Sequence, residues 1–541
     1  MIISKQERKW LWIFCLVVIV LTTIPYFIGF SAQNDQWVYT GFLFGLEDGN
    51  SYIAKMLIGQ SGFWLFRTPY TIEPQKGFLA FLPYLLLGKL ASPPDVHTQL
   101  VVLFHVFRWI ACLCYIWATY DFISVFISQP AYRRLGTILA VFGGGLGWLS
   151  LLGVSHWWRD GLPLDFYSPE TFGFLSILGL PHLAMARALL LWGLARYLRP
   201  RAYRNKVLSV LVNDGGWLAL GFFQPLTIVV GGVVIGTHLV YQTISFLLLK
   251  KHNPNIIIWQ NIRHDFWRAL WAGFFALPFL IYNFLSFYFD PFLSSWQKQN
   301  LILSPPPKDY FLAYGIIALF SLVGLVSIIR KRLAEEYSLV WLWLMIFPVL
   351  AYAPYQLQRR LPEGVWTAWI VLALVGLENI RSKWKMIGYG ILSTMLVSAI
   401  LLLIGGIGAV STPGLPLFLK RSEVEVFKFL YENAPADSVV LALHSTSNAI
   451  PAWAPVRTLV GHGPESIHLA EVLPKVKEFY SNFDRPEEQK QFQRNYHIRY
   501  VFCGPEEADY GSCMFDEKVG LNLIIEMNEY KLFEFVEMED K

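Results

Sequence analysis

Long apolar stretches recur along the chain as far as residue 410 and then stop. Because a helix needs roughly 20 apolar residues to cross a bilayer, the pattern predicts about eleven transmembrane helices. The first stretch is longer than the apolar core of a signal peptide and lacks a small-residue cleavage site, so we expect it to be retained. The predicted spans are 10–30, 99–127, 134–153, 172–195, 207–222, 225–249, 266–289, 309–329, 337–354, 364–379 and 386–410.

The links between these spans differ in charge, and the difference predicts the orientation of the chain. Alternate links carry most of the Lys and Arg residues, and cations are retained on the cytoplasmic side of a membrane. The N-terminus is therefore predicted to be cytoplasmic, and everything after residue 411 extracytoplasmic. The basic segments are Lys5–Lys9, Arg133–Arg134, Arg196–Lys206, Lys250–Arg268, Arg330–Arg332 and Arg381–Lys385.

The predicted outer segments are larger than most cytoplasmic links, so chemistry is expected on the outer face. Residues 31–97 form a long first outer loop, whose apolar stretch 77–90 is too short to span and is expected at the membrane interface. After residue 411 the chain becomes polar, and strand-like runs alternate with helical segments. The strand-like runs are 438–443, 457–460, 498–503 and 521–535, and the helical segments are 420–434, 464–480 and 485–496.

These patterns predict an α-helical polytopic membrane protein over residues 1–411, followed by a small extracytoplasmic α/β domain over 412–541. The composition agrees, since 55% of the 541 residues are hydrophobic and only 15% are charged, whereas a soluble globular protein carries about a quarter charged residues. The aromatic fraction of 16% suits interfacial belts and cavities for long apolar ligands. The net charge of +5 reflects orientation and does not indicate a nucleic-acid partner.

Two adjacent carboxylates, Glu47 and Asp48, follow the first predicted span and precede a short predicted helix with Tyr52, Lys55 and Met56. An acid at a membrane boundary, in a pocket with little water, can act as a general base or bind a cation. The alternative is that both acids cap a helix that begins near residue 49 and contact only water.

The second outer loop, 157–171, leads into a span that carries His182 and Arg187, polar groups that are costly in lipid unless they face the protein interior. A carboxylate such as Glu170, a histidine and aromatic faces on one outer surface suit contacts with sugar or phosphate. The alternative is an interfacial aromatic belt whose charged residues lie in solvated turns.

A short outer loop contains Gln356, Gln358, Arg359 and Arg360. In the other links most cations lie on the cytoplasmic side, so two arginines in an outer loop are unusual. A local interaction of these arginines must offset the preference for the cytoplasmic side. The planar guanidinium fits phosphate oxygens, and the glutamines add neutral donors. The alternative is contact with anionic headgroups of the outer leaflet.

Three weaker patterns add less. Residues Gly143–Gly147 fall within a predicted span, where close helix packing is expected rather than a nucleotide-binding loop. The spacing of His462, His468 and Glu471 matches no standard metal site. Cys503 and Cys513 both lie in the predicted extracytoplasmic domain, where a disulfide between them is allowed but not required.

Together these features resemble the GT-C superfamily of polytopic glycosyltransferases, which includes protein O-mannosyltransferases, aminoarabinose transferases and oligosaccharyltransferases. The resemblance covers the order of spans, the long first outer loop with acids near its start, and the soluble C-terminal domain. Its motif-level support is the pair Glu47-Asp48 with Tyr52 downstream. The chain is also similar to a branch of bacterial multi-spanning proteins that share the segments Pro169–Phe172, Pro181-His182 and Gln358–Arg360.

The resemblance implies an inverting glycosyltransferase of the cytoplasmic membrane, with a polyprenyl-phosphate sugar donor. Asp48 would be the catalytic base that deprotonates the acceptor, with Glu47 as the competing choice. Cations from Arg359, Arg360 or Lys55 would stabilise the departing phosphate. The other residues implied in substrate or phosphate binding are Tyr52, Glu170, His182 and Gln358.

The resemblance also sets the expected partners. The acceptor is expected to be a lipid, glycan or protein of the envelope, and no nucleic acid is expected. A divalent cation stays open as a cofactor, with Glu170 or Asp165 as candidate ligands.

Two other functions stay open. A transporter or lipid flippase places polar residues at the middle of the membrane and often has two similar halves, and the sequence shows neither pattern. A non-catalytic scaffold for envelope assembly would keep the fold without the chemistry.

Overall fold

The computed structural model describes residues 3–158, 161–199, 210–211, 214–250, 256–481, 485–511, 513, 515 and 519–535. Arg159 and Asp160 of the second outer loop, and parts of the basic links at 200–209 and 251–255, lie outside these residues. Within the described part, seven helices are long and apolar enough to cross a membrane, which confirms a polytopic α-helical membrane protein. They are Lys5–Ser31, Val96–Phe126, Pro225–Leu248, Ile262–Phe289, Pro307–Arg330, Gln358–Asn379 and Ser382–Ser411.

The other four predicted spans are shorter or interrupted in the described residues. A proline at position 181 separates two helices where one span was predicted at 172–195, because proline has no backbone N–H to continue a helix. Residues 207–209 and 212–213 of another predicted span are not described. The helices in these four regions are Pro130–Phe142, Phe174–Gly179, Pro181–Leu198, Gly216–Phe223 and Ser338–Ala351.

The chain forms two compact units, each built from three segments. The first unit comprises Met1–Thr23, Phe107–Leu285 and Leu301–Gly405, and the second comprises Ile24–Val106, Ser286–Asn300 and Gly406–Lys541. Smaller helices are Leu46–Gln60, Leu82–Gly88, Leu164–Tyr167, Pro291–Gln299, Arg421–Asn433, His444–Trp453, Leu469–Ser481, Pro486–Tyr496 and Pro505–Ala508. Three-residue or longer 3-10 helices are Gly147–Leu152, Ser155–Trp157 and Gln358–Arg360.

In the first unit, the segment Gln358–Asn379 is central, because 89% of its apolar window is buried inside the protein, and its α-helix is Val365–Asn379. It crosses the helix Pro307–Arg330 at two glycines. A Cβ atom on Gly324 would lie 2.0 Å from the carbonyl oxygen of Leu372, and one on Gly376 would lie 2.1 Å from that of Phe320. Such close backbone approach is typical of packed membrane helices.

The prediction that Gly143–Gly147 lie within a membrane helix is wrong. The helix ends at Phe142, and the glycines that follow pack against Asp165. The Asp165 carboxylate accepts hydrogen bonds from the backbone N–H of Gly145 at 2.6 Å and from the Ser398 hydroxyl at 2.7 Å. Burial raises the pKa of Asp165 to about 6, although these hydrogen bonds act to lower it. Asp165 therefore holds a loop together inside the first unit.

The second unit contains a five-stranded sheet, which confirms the predicted α/β region near the C-terminus. The five strands are β3 (Val439–Leu441), β4 (Arg457–Thr458), β5 (Ile498–Cys503), β6 (Leu521–Met527) and β7 (Tyr530–Phe535). They lie in the order β4-β3-β5-β7-β6, in which β3 is parallel to β4 and β5, and β7 is antiparallel to β5 and β6. A disulfide joins Cys503 and Cys513, whose Cα atoms are 6.3 Å apart.

A separate two-stranded ladder joins distant segments of the same unit. Strand β1 (Trp37–Tyr39) pairs antiparallel with β2 (Phe418–Lys420), and the Lys420 Nζ atom lies 3.9 Å from the centre of the Trp37 ring. An apolar cluster also draws on all three segments of this unit, with Phe66 and Leu85 from the first, Phe292 and Trp296 from the second, and Ile467 from the third. The α/β region is thus packed with the first outer loop. The predicted boundary at 411/412 stays a prediction.

Candidate active site

The helix Leu46–Gln60 of the second unit presents the two predicted catalytic acids. Gly45, at φ 60°, precedes it in the left-handed conformation, so Glu47 and Asp48 lie inside the first turn. This differs from the expectation of a helix that begins near residue 49. Negative charge is favoured in a first turn by the helix dipole. The two side chains are 48% and 52% exposed, so both are open to solvent or ligand.

A second helix fixes the position of this turn. Asn448, in the helix His444–Trp453, accepts a hydrogen bond from the Asn50 amide at 2.8 Å and donates one to the backbone carbonyl of Glu47 at 3.1 Å. Asn50 and Asn448 are both buried. Hydrogen bonds between buried amides are costly to leave unmade, so the orientation of the acid pair is well determined.

Asp48 faces a buried histidine. The Oδ1 atom of Asp48 is 3.2 Å from Nε2 of His462, whose side chain is only 7% exposed. The other ring nitrogen, Nδ1, is 3.7 Å from Oε1 of Glu465. His462 and Glu465 belong to one tight turn, in which the Glu465 N–H donates to the His462 carbonyl at 3.0 Å. The imidazole therefore lies between two carboxylates.

Glu47 is held in a different way. Its Oε1 atom accepts a hydrogen bond from the backbone N–H of Gly463 at 2.6 Å and lies 3.6 Å from Nε2 of His444. Burial raises the pKa of Glu47, but the contact with His444 and the hydrogen bond from Gly463 outweigh burial, so the pKa is lowered overall. Glu47 is thus stabilised as an anion.

Lys55 forms a buried ion pair with Glu465, at 2.5 Å, and the two side chains are 1% and 3% exposed. Glu465 also accepts hydrogen bonds from the hydroxyls of Ser51 at 2.9 Å and Thr68 at 2.7 Å. Burial raises the pKa of Glu465, yet the charge of Lys55 outweighs burial and lowers it overall. The Lys55 ammonium is also 4.4 Å from the centre of the Phe81 ring. Lys55 is therefore engaged inside the protein rather than presented to a phosphate.

Tyr52 packs in the same interior. It is 7% exposed, and its ring stacks on that of Tyr84 with centroids 4.7 Å apart. Its place in the helix Leu46–Gln60 is as predicted, one turn after Asp48.

The first unit gathers the predicted arginines around Glu170. The Nε atoms of Arg359 and Arg360 lie 3.8 Å and 3.7 Å from the Glu170 carboxylate, which is almost fully buried. The Arg359 guanidinium also lies 5.3 Å from the centre of the Tyr167 ring. At these separations the ion pairs are loose, because a charge-assisted N–H···O bond is about 2.7–2.9 Å long. Gln358 begins the 3-10 turn that carries both arginines.

A buried arginine orders the segment that presents Glu170. Arg187 pairs with Glu363 through Nε, and its other nitrogens donate to the carbonyls of Pro169 at 2.6 Å and Phe172 at 3.0 Å. His182, the second residue of the helix that carries Arg187, is 9% exposed. The polar groups predicted in this span therefore face the protein interior.

Sequence reasoning missed three residues of these clusters: His444, Glu465 and Glu363. It considered His462 only as a candidate metal ligand with His468 and Glu471. A usable signal was the turn Gly461–Glu465, in which a histidine and an acid flank Gly463-Pro464. In the part of the chain that the structure describes, no three His, Cys, Asp or Glu side chains form a group that could hold a metal ion.

The predicted site residues divide between the units. Glu47, Asp48, Tyr52 and Lys55 belong to the second unit, where Asp48 contacts His462, Glu47 accepts from Gly463 and Lys55 pairs with Glu465. Glu170, His182, Gln358, Arg359 and Arg360 belong to the first unit, where Glu170 contacts both arginines.

These features describe a polytopic membrane protein with a GT-C-like fold, in whose second unit acids from the helix Leu46–Gln60 meet histidines from the C-terminal α/β region. The chain is similar in structure to the oligosaccharyltransferase of Archaeoglobus fulgidus in its apo form, with a TM-score of 0.52 at 11% identity over 99% of this chain and 75% of that one. It also matches ArnT from Cupriavidus metallidurans bound to undecaprenyl phosphate, with a TM-score of 0.47 at 13% identity over 97% and 98% of the two chains. No protein-family model and no curated protein matches the sequence.

Proposed function

We propose that the chain is an inverting glycosyltransferase of the cytoplasmic membrane, which transfers a sugar from a polyprenyl-phosphate donor to an envelope acceptor on the outer face. The observation that carries the proposal is the position of Asp48. It lies in the first turn of its helix, about half exposed, with Oδ1 3.2 Å from the buried His462. The GT-C-like fold supports the same assignment.

The two acids are not equivalent as bases. The Oε1 atom of Glu47 already accepts the Gly463 N–H, and the pKa of Glu47 is lowered, so protonation of Glu47 is disfavoured. A general base works best when its pKa lies near the operating pH, and a lowered pKa moves it away. We therefore assign the base role to Asp48, and to Glu47 the role of a fixed anion.

In the proposed reaction, the acceptor oxygen attacks the anomeric carbon from the face opposite the leaving group. The acceptor proton moves to Asp48, the bond from the anomeric carbon to the phosphate oxygen breaks, and the polyprenyl phosphate leaves with the electron pair. Arg359 and Arg360 are the proposed phosphate-binding residues, because their loose pairing with Glu170 leaves guanidinium N–H groups able to turn toward an anion. Gln358 and His182 stay proposed contacts for sugar or phosphate.

The proposal includes the orientation of the chain in the membrane. The N-terminus is proposed to be cytoplasmic and residues 412–541 extracytoplasmic. The disulfide of that segment supports the placement, since disulfides persist in oxidising compartments. A divalent cation stays open as a cofactor, and no step of the proposed reaction is assigned to it.

The test compares envelope glycans and lipid-linked sugars, by mass spectrometry, in cells that lack the protein and in cells that express full-length wild type, Asp48→Asn or Asp437→Asn. Asp437 is the matched control, because it is exposed in the same unit and its φ of 63° suits asparagine. We expect Asp48→Asn to match the deletion, with loss of a glycan and accumulation of its lipid-linked donor, and Asp437→Asn to match wild type.

Other results would redirect the assignment. Normal glycan in cells that accumulate Asp48→Asn would show that Asp48 is not the base. Identical glycans and lipids with and without the protein would exclude a transferase and favour a scaffold. A lipid-linked sugar that accumulates in the deletion but clears normally with Asp48→Asn would favour a flippase.

A further inference from the structure

We propose that His462 receives the acceptor proton from Asp48 and that Glu465 and Lys55 hold its imidazole in place for this step. The proposal rests on the proposed function and deepens it, because it adds a proton path behind the base. His462 is thus a positioning and proton-accepting residue that acts through Asp48.

The geometry around His462 is that of a ring fixed between two acids. Its Nε2 atom is 3.2 Å from Asp48, which is half exposed, and its Nδ1 atom is 3.7 Å from Glu465, which is buried. The ring stacks on Tyr70, with centroids 5.7 Å apart, and the backbone N–H of His462 donates to the Ser466 hydroxyl at 3.1 Å. The imidazole therefore joins a solvent-facing carboxylate to an interior one.

The interior carboxylate is fixed as an anion. Glu465 receives the Lys55 ammonium and the hydroxyls of Ser51 and Thr68, and its pKa is lowered. A carboxylate next to one imidazole nitrogen stabilises the positive charge that appears when the other nitrogen takes a proton. Glu465 can supply that stabilisation without being protonated itself.

The proton balance of the step is simple. After sugar transfer, Asp48 carries the proton from the acceptor hydroxyl. That proton moves from Oδ1 of Asp48 to Nε2 of His462, which is unprotonated in the tautomer that carries its N–H at Nδ1, toward Glu465. The resulting imidazolium later releases a proton to water. Imidazole is suited to this role because its ordinary pKa of about 6.5 lies far nearer neutrality than the value of about 3.9 for an aspartic acid.

The second histidine of the cluster does not share this arrangement. His444 lies 3.6 Å from Glu47, and its side chain is 31% exposed, so water reaches it directly. Glu47 is also bound by the Gly463 N–H. Among the described residues, the titratable side chains that face His462 are those of Asp48, Glu465, Glu47 and Tyr70, and Lys55 pairs with Glu465 behind them.

The test measures transfer by purified full-length protein, with the lipid extract of deletion cells as donor and their envelope fraction as acceptor. His462→Gln keeps a polar side chain at this position but cannot take up a proton. Because general acid–base groups contribute about 10²- to 10⁴-fold, we expect kcat to fall at least about 100-fold in His462→Gln, with KM within about threefold of wild type. His468→Asn, an exposed histidine of the same segment, should keep wild-type kinetics.

A rescue experiment separates proton acceptance from folding. His462→Ala should regain activity in proportion to added imidazole, whereas Asp48→Asn should not. If His462→Gln keeps more than a third of the wild-type kcat while Asp48→Asn is inactive, the relay is wrong and the base assignment stands. If Asp48→Asn is itself active, the proposed function loses its base. If imidazole does not rescue purified, folded His462→Ala, the proposed proton transfer from Asp48 to His462 is also wrong.

Discussion

The buried pair Lys55–Glu465 should be a major source of stability in the second unit, and this can be measured by Lys55→Met. The two side chains are 1% and 3% exposed, so the substitution leaves a carboxylate buried without its counter-charge. Loss of one partner of a buried ion pair costs about 3–5 kcal/mol. Since 1 kcal/mol shifts the melting temperature by about 2–4 °C for a unit of roughly this size, we expect a fall of about 6–20 °C.

The assay is thermal unfolding of the full-length protein in detergent, followed by tryptophan fluorescence. The matched control is Lys428→Met, which breaks the exposed pair with Glu425 at 3.0 Å and should cost at most about 1 kcal/mol. The double variant Lys55→Met/Glu465→Met should recover much of the loss, because an apolar pair replaces a buried ionic one. A shift for Lys55→Met no larger than that of Lys428→Met would refute the reasoning.

Three further predictions concern other parts of the chain. Arg360→Gln should weaken binding of a polyprenyl phosphate about tenfold, because the substitution removes a charged donor worth about 1.5 kcal/mol. The exposed Arg330→Gln should leave binding unchanged, and a binding titration checks both variants. Burial, and then the charges of nearby glutamates, raise the pKa of Glu423 from 4.5 to about 8. The folded protein therefore holds this proton more tightly than the unfolded chain, so the free energy of unfolding should fall as the pH rises between these two values. Glu423→Gln should remove this dependence from melting curves, and an unchanged slope would contradict it. Replacement of Cys503 and Cys513 by serine should lower the free energy of unfolding by about 3 kcal/mol, since the disulfide closes a loop with a sequence separation of 10. Equal melting temperatures with and without a reductant would argue against the disulfide.

The sequence was sufficient for the features that depend on local pattern. The long apolar helices, the strand Ile498–Cys503 and the helix that carries Tyr52 and Lys55 follow from periodicity over neighbouring residues. Interruptions were harder to predict. The segment Gly143–Gly147 falls within an apolar stretch, and its contact with the buried carboxylate of Asp165, 20 residues away from Gly145, is not visible in the local periodicity.

The candidate site shows the same limit more clearly. Asp48 and His462 are 414 residues apart, and nothing in local spacing indicates that they meet. The partner of Lys55 is 410 residues away, so a cation that looks available in the sequence is neutralised in the fold. The charge of Arg359 and Arg360 alone predicts an anionic partner, but it does not identify Glu170 as that partner.

The ladder between β1 and β2 has a consequence for biosynthesis. The strand Trp37–Tyr39 leaves the ribosome long before residue 418, and at about 5–20 residues per second it waits roughly 20–75 seconds for its partner strand. During that interval the strand Trp37–Tyr39 has an unpaired edge, and Phe66 lacks the apolar contacts that later segments supply. Loss of even the last quarter of the gene would therefore leave the earlier acids without the fold that orients them.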